Sequence, residues 1–175
     1  IIALLVRIKL GSPVLFTQYR PGLIDPKTGK ERIFKMYKFR TMTDKKDAEG
    51  NLLPDEVRLT KFGAWLRSTS LDELPEAFCI LNGTMTLIGP RPQLVRDMVF
   101  MSEEQRMRHT AKPGLSGLAQ VSGRNAISWD RKLQYDLEYI EHVSFGRDLK
   151  ILFKTVEKAF IKQEGITEEG SVTAA

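Results

Sequence analysis

The feature that most limits the fold of this chain is how often its hydrophobic period changes. Short strand-like and helix-like runs follow one another, broken by proline and glycine, and no segment repeats another. "SPVLFTQYRPG" predicts a short strand closed by a Pro-Gly turn, and "ERIFKMYKFRTM" its partner. There Ile33, Met36 and Phe39 alternate imperfectly with Arg32, Lys35, Lys38 and Arg40. "LIDPKTGK" supplies the turn between them, and residues 43–55 read as a long, mobile loop. "DEVRLTKFGAWLRSTS" predicts a helix with Leu59, Phe62 and Leu66 on one face beside Trp65. A second helix is expected to start at Pro75, run through "EAFCILNG" and stop at Gly83. "TMTLIGPRPQLV" is an apolar run ending in a proline-locked turn. A helix is expected over 102–109, then loop and short strand in "KPGLSGLAQVSGRN", then amphipathic helices over 129–142 and 147–162.

This order predicts an α+β fold: one compact domain of amphipathic and interfacial helices with a small sheet of short strands. It lacks the strand, glycine-rich loop and helix rhythm of Rossmann and P-loop nucleotide sites. The boundaries expected are 1–10 for an apolar first segment, 11–163 for the main domain and 164–175 for a flexible tail. The apolar "IIALLVRIKL" is too short to span a bilayer, which takes about 20 residues, so it reads either as a buried first element or as the end of an anchor.

Composition narrows function only at a few points. A net charge of +5 points to an acidic partner: nucleic acid, nucleotide phosphates or an anionic membrane. With one cysteine, Cys79, and two histidines, an internal disulfide is impossible and a structural zinc site is not expected. Cysteine use fits a reducing, cytosolic compartment.

Four short strings can carry chemistry, and each has an ordinary structural reading beside it. In "STSLDELPE", Ser70 and Glu73 have capping-box spacing, which would make the acids a helix cap. Pro75 would then fall at the fifth helical position, where its ring and missing N–H are costly. A helix starting at Pro75 instead leaves Asp72 and Glu73 just outside it, free for other work. In "IGPRPQL", prolines on both sides stiffen the backbone that presents Arg91, which suits phosphate recognition or a plain surface turn. Lys38 and Arg40 share one strand face, needing either an anion or solvent. "VSGRNAISW" offers Arg124 and Asn125 on a turn, or merely a loop before Trp129. His109 and His142 have no ligand-like partner in the sequence. In the last helix, Leu149, Leu152, Phe153, Val156 and Phe160 lie opposite Lys150, Lys154, Lys158 and Lys162, as for a helix lying on anionic lipid or against a core.

Taken together, "SPVLFTQYRPG", "FKMYKFRTM", "LRSTSLDELPE", "LIGPRP", "RHTAKPGLSGLAQVSGRNAISW" and "YDLEYI" resemble the bacterial sugar transferases, the monotopic polyprenyl-phosphate phosphoglycosyl transferases. The resemblance spans roughly residues 10–160, and is nearest to the small single-domain type that handles N,N'-diacetylbacillosamine 1-phosphate. It implies transfer of a sugar 1-phosphate from a UDP-sugar to undecaprenyl phosphate, with release of UMP, at the cytoplasmic face of the bacterial inner membrane. This is the initiating step of glycoconjugate assembly. It implies Asp72 as nucleophile, giving an aspartyl phosphosugar, and Glu73 as a ligand of Mg²⁺. Lys38, Arg40, Arg67 and Arg91 would neutralise the diphosphate, while Arg124, Asn125 and Asp136 would belong to the substrate region. Direct transfer in a ternary complex is the alternative within the enzyme reading. A non-enzymatic module binding membrane or nucleic acid would leave the acids and prolines idle, so no nucleic-acid partner is expected. The oligomeric state is open, a homodimer included.

Overall fold

A computed structural model describes residues 1–123 and 127–158. Arg124, Asn125, the end of the last helix and the tail at 164–175 lie outside the described residues. The α+β expectation holds, with two small sheets. Helix α1 (Ile2–Leu10) leads into an antiparallel pair, β1 (Leu15–Ile24) and β2 (Glu31–Phe39). The Pro21-Gly22 dipeptide does not end β1 as expected. The strand runs through it with a register shift between Pro21 and Ile24, and the chain reverses later, at Asp25–Lys30. The bulge accommodates a proline that could not donate to a regular ladder.

The inner face of β2 reads Phe34, Met36 and Lys38, all buried, and Arg40 follows in the same sense. Strand alternation thus sends two cations inward with two apolar residues, while Ile33 is exposed. The helix predicted after residue 54 forms in two pieces, α2 (Asp55–Arg58) and α3 (Lys61–Ser68). Thr60 separates them, in extended conformation, and caps α3 by accepting from the Gly63 N–H. Val6 and Leu10 of α1 pack on Leu66 of α3, with Phe39 and Phe62 around them. Leu66 is fully buried, so truncation to alanine there costs about 3 kcal/mol.

Next comes a 3₁₀ turn over Leu71–Glu76, followed by α4 (Ala77–Leu81) and a stop at Gly83 with φ 80°. Cys79 of α4 joins Phe34, Met36 and Met85 in a second core patch. The parallel pair β3 (Thr86–Ile88) and β4 (Gly114–Ser116) brackets a stretch containing a 3₁₀ segment (Val95–Phe100), α5 (Glu103–Arg106) and a further 3₁₀ turn (Met107–Thr110). A helix the sequence did not announce, α6 (Leu118–Ser122), follows. The chain then enters α7 (Trp129–Glu141) and α8 (Phe145–Val156), each opened by a serine cap, Ser128 and Ser144. Ile88, Val121, Tyr139 and Ile151 make the third core patch, and the Tyr139 hydroxyl donates to Asp148 at 2.7 Å.

Candidate active site

The acid pair sits in a conformation neither helix register foresaw. Ser70 takes a left-handed backbone with φ 55°, an uncommon state for a residue with a side chain, and makes no side-chain cap. The capping box is therefore not formed. The turn is 3₁₀ from Leu71 through Glu76, so Asp72 and Glu73 lie inside it, and the α-helix begins only at Ala77. Pro75 is accommodated within this tighter turn, in which residues three apart eclipse. That geometry stacks Glu76 behind Glu73, and all three acids are buried.

Cations meet them from two directions. Lys38 of β2, itself buried, donates from Nζ to Glu73 Oε1 at 3.2 Å, and the same Nζ lies 3.8 Å from Glu76 Oε1. Arg91 Nη2 donates to Glu73 Oε1 at 3.0 Å. Arg67 reaches Asp72 through its charge, and its Nε donates to Thr41 Oγ1 at 3.1 Å. That placement depends on Gly63, where a Cβ would lie 1.8 Å from the Thr41 carbonyl oxygen, so only glycine lets α3 approach the end of β2. A second close crossing carries Arg91: a Cβ on Gly89 would lie 2.4 Å from the Lys112 carbonyl.

The three acids respond differently to this surround. Burial pushes Asp72 up to about 6, the neighbouring Glu73 adds to the rise, and Lys38 and Arg67 only partly offset it. Burial also pushes Glu73 up, but Arg91 and Lys38 outweigh it and hold its carboxyl below the usual range. Glu76, buried and beside the Glu73 charge, rises to about 8 despite Lys38, so it holds its proton at neutral pH. Glu73 is pinned by two side-chain hydrogen bonds. Among the described residues, no side-chain hydrogen bond pins the Asp72 carboxylate.

Of the cations singled out in the sequence, Lys38, Arg67 and Arg91 lie around the acids. It does not bring Arg40 there. The Arg40 guanidinium donates to the carbonyls of Leu10 and Ser12 (2.8 Å for Ser12), clamping the end of α1, and meets Asp44 at 3.1 Å. Asp136 is likewise beneath the site, fully buried against Arg108 at 2.5 Å. The residues missed were Glu76, and Glu31, Arg106, Arg108 and His109. Only Glu76 had a signal: its spacing of three from Glu73 in a turn that contains proline. Arg106 makes paired hydrogen bonds to Glu31 at 2.8 and 2.6 Å, and His109 Nδ1 lies 3.1 Å from Glu31 Oε1, contacts some 75 residues apart in sequence.

Among the described residues, no cluster of three or more His, Cys, Asp or Glu side chains is arranged to hold a metal, and no helix is long and apolar enough to cross a membrane. Large apolar side chains are nonetheless exposed on α1 (Leu4, Ile8), on α4 (Phe78, Leu81) and on α8 (Phe145, Phe153).

A compact α+β domain with an unpinned acid, a pinned acid and convergent cations defines a centre suited to chemistry on phosphate. Residues 1–162 match the bacterial sugar transferase family, and the chain belongs to it. It is 52% identical over 169 residues to the sugar transferase EpsL of Bacillus subtilis, covering 97% of this chain and 80% of that protein. It is 39% identical over 173 residues to a UDP-glucose:undecaprenyl-phosphate glucose-1-phosphate transferase of Klebsiella pneumoniae, covering 93% of this chain and 36% of that one. An undecaprenyl-phosphate galactose phosphotransferase of Salmonella typhimurium is 34% identical over 172 residues, covering 89% of this chain and 35% of the other. The chain thus spans most of the first and about a third of the two longer relatives.

Proposed function

We propose that this chain transfers a sugar 1-phosphate from a UDP-sugar to undecaprenyl phosphate, with Asp72 as nucleophile. The observation that carries this reading is the division between the acids: Glu73 is pinned by Lys38 and Arg91, whereas no side-chain hydrogen bond among the described residues holds Asp72. The Asp72 carboxylate attacks the β-phosphorus. A P–O bond forms to Asp72, the bond from that phosphorus to the bridging oxygen breaks, and UMP leaves with the oxygen. An oxygen of the lipid phosphate then attacks the same phosphorus, the bond to Asp72 breaks, and the carboxylate is restored. Lys38, Arg67 and Arg91 hold and offset the charge that grows on the phosphoryl oxygens. With its carboxyl at about 6, Asp72 is mostly ionised at neutral pH, as a nucleophile must be.

The donor set fits Mg²⁺ only in part. Glu73, with Asp72 beside it, offers the one or two carboxylates that Mg²⁺ commonly takes, the remaining ligands being substrate phosphate and water. When bound, the ion would polarise phosphoryl oxygens; Glu73 is the residue that would hold it. Glu76 holds its proton at neutral pH, and an added ion would have to share Glu73 with Lys38 and Arg91.

The reaction belongs at the cytoplasmic face of a bacterial membrane, where the exposed apolar residues of α1, α4 and α8 suit a monotopic association and the lysines of α8 suit anionic lipid. Two of the relatives described carry glucose or galactose in their names, and neither carries bacillosamine. The test is incubation with UDP-glucose or UDP-galactose and Mg²⁺ without lipid, followed by intact-mass measurement and peptide mapping. A sugar-phosphate adduct on Asp72 is expected. A protein that turns over with lipid yet never shows the adduct transfers directly in a ternary complex.

A further inference from the structure

We propose that Arg108 is a positioning residue for the transfer: seated on Asp136, it fixes the main chain of Arg91 and so the guanidinium that holds Glu73. This rests on the reading of the acid turn given above. Three consecutive carbonyls of Pro90-Arg91-Pro92 each accept a hydrogen bond from a different part of the chain. The Gly114 N–H donates to the Pro90 oxygen at 3.0 Å, Arg108 Nη2 to the Arg91 oxygen at 2.5 Å, and Arg20 Nη1 to the Pro92 oxygen at 3.2 Å. The two prolines fix φ on either side of Arg91 and, having no N–H, need no acceptor of their own. A main chain held this completely transmits its position to the side chain, and Arg91 Nη2 meets Glu73 at 3.0 Å.

Arg108 is at the centre of the arrangement. It is the largest of the fully buried side chains, and its Nε and Nη2 both donate to Asp136 Oδ2, at 3.0 and 2.5 Å. Desolvating a guanidinium and a carboxylate is costly, and an apolar pair of similar volume is often as stable. The pair is also incompletely satisfied, since Asp136 Oδ1 is buried with no hydrogen-bond partner. Stability alone gives little reason to keep it. An arginine does what an apolar residue cannot at this place: Nη2 donates to the Arg91 carbonyl while Nε and Nη2 also donate to Asp136, which holds the guanidinium in place.

The decisive experiment is a cycle of variants in the full chain. Replacing both charges, Arg108→Met with Asp136→Leu, leaves no orphaned buried ion. Arg91→Ala removes the guanidinium, and the triple variant combines the changes. UMP release gives kcat and KM, melting temperatures report folding, and ¹⁵Nε relaxation reports the order of the Arg91 guanidinium. Arg91→Ala should lower kcat by about 100-fold. The paired replacement should lower kcat by roughly 30-fold in the native background, with KM little changed, by displacing Arg91. In the Arg91→Ala background it should cost less than about 3-fold, because Arg108 then has nothing left to position. Losses that multiply instead would mean Arg108 supports the fold or acts elsewhere, overturning the proposal. The relaxation measurement decides independently of turnover. Arg91 Nε should become more mobile in the paired variant, and unchanged order would also overturn it. If the native chain releases no UMP while Arg91 loses order as expected, the positioning stands and the reaction assigned to the site is what fails.

Discussion

Two ionic clusters, one partly and one wholly built of buried acids and their partners, lie on either side of Arg91, and their charges are balanced in opposite ways. In one, Glu31 takes paired hydrogen bonds from Arg106 and faces His109, and the hydrogen bonds from Arg106 hold its carboxyl down at about 2. Burial, with the Arg108 charge beside it, keeps His109 down at about 4 and therefore neutral. Every charge in that cluster has its partner. In the other, Asp72, Glu73 and Glu76 crowd one 3₁₀ turn, and burial leaves Asp72 at about 6 and Glu76 at about 8. A matched cluster fastens β2 to the turn at Met107–Thr110. A turn whose acids crowd one another, with Asp72 raised and Glu76 holding its proton, is poorly suited to that task, and such perturbed groups are the ones open to chemistry.

The largest difference should come from neutralising the mismatched acid. Asp72→Asn should lower UMP release by at least about 1,000-fold, since the nucleophile is gone. Stability should move the other way. An acid whose pKa rises on folding costs stability as pH climbs from 3.8 to about 6, and the full cost remains above that. The neutral amide removes it, so at pH 7.5 the variant should be as stable as the native chain or more so, by up to about 3 kcal/mol. A variant that keeps native turnover would return the acids to a purely structural role.

The matched cluster should behave in reverse. Glu31→Gln should cost about 2 kcal/mol, and several degrees of melting temperature, while residual turnover at low temperature persists. Its pH signature follows from the same groups. The folded pKa of His109 lies below its unfolded value, so stability falls as pH drops from 6.5 towards about 4. Glu31 adds a second loss as pH drops from 4.5 towards about 2. Asp72 and Glu76 act in the opposite sense between pH 7.5 and 4.5, so the His109 loss is read as the difference between the melting curves of the native chain and of His109→Gln, which should gain relative stability as pH falls. Equal slopes would remove His109 from the account.

The contrast also shows how much could be seen before the structure. The cations Lys38, Arg67 and Arg91 and the acids Asp72 and Glu73 lie in short strings whose local chemistry is unusual, so they stood out. The same strings were misjudged where tertiary contacts decide. Arg40 shares a strand face with Lys38, yet the end of α1 offers it carbonyls, and alternation says nothing of that. The capping box failed because Ser70 adopted a left-handed backbone to bring the turn onto β2, where Glu73 meets Lys38 and Arg91 rather than an N-cap. Glu31, Arg106 and His109 form their cluster across the whole domain, and no periodic pattern records contacts at that separation. Helix α6 was hidden for a simpler reason: five residues are too few to show a helical period.

The smallest effect bears on the excess charge itself. If the acid turn accepts a divalent cation, Mg²⁺ binds the folded chain and not the unfolded one, and raises stability by mass action. At about ten times its dissociation constant the gain is about 1.4 kcal/mol, a rise of a few degrees for a domain of this size. Glu73→Gln should abolish that rise, because the pinned carboxylate is the proposed ligand. Glu31→Gln should retain it, because the matched cluster has no charge to spare. Scanning calorimetry of the native chain and both variants, with Mg²⁺ and after its removal by a chelator, separates the two cases. An equal rise in all three would place the ion elsewhere on the protein and leave the counter-charge of the turn to Lys38, Arg67 and Arg91.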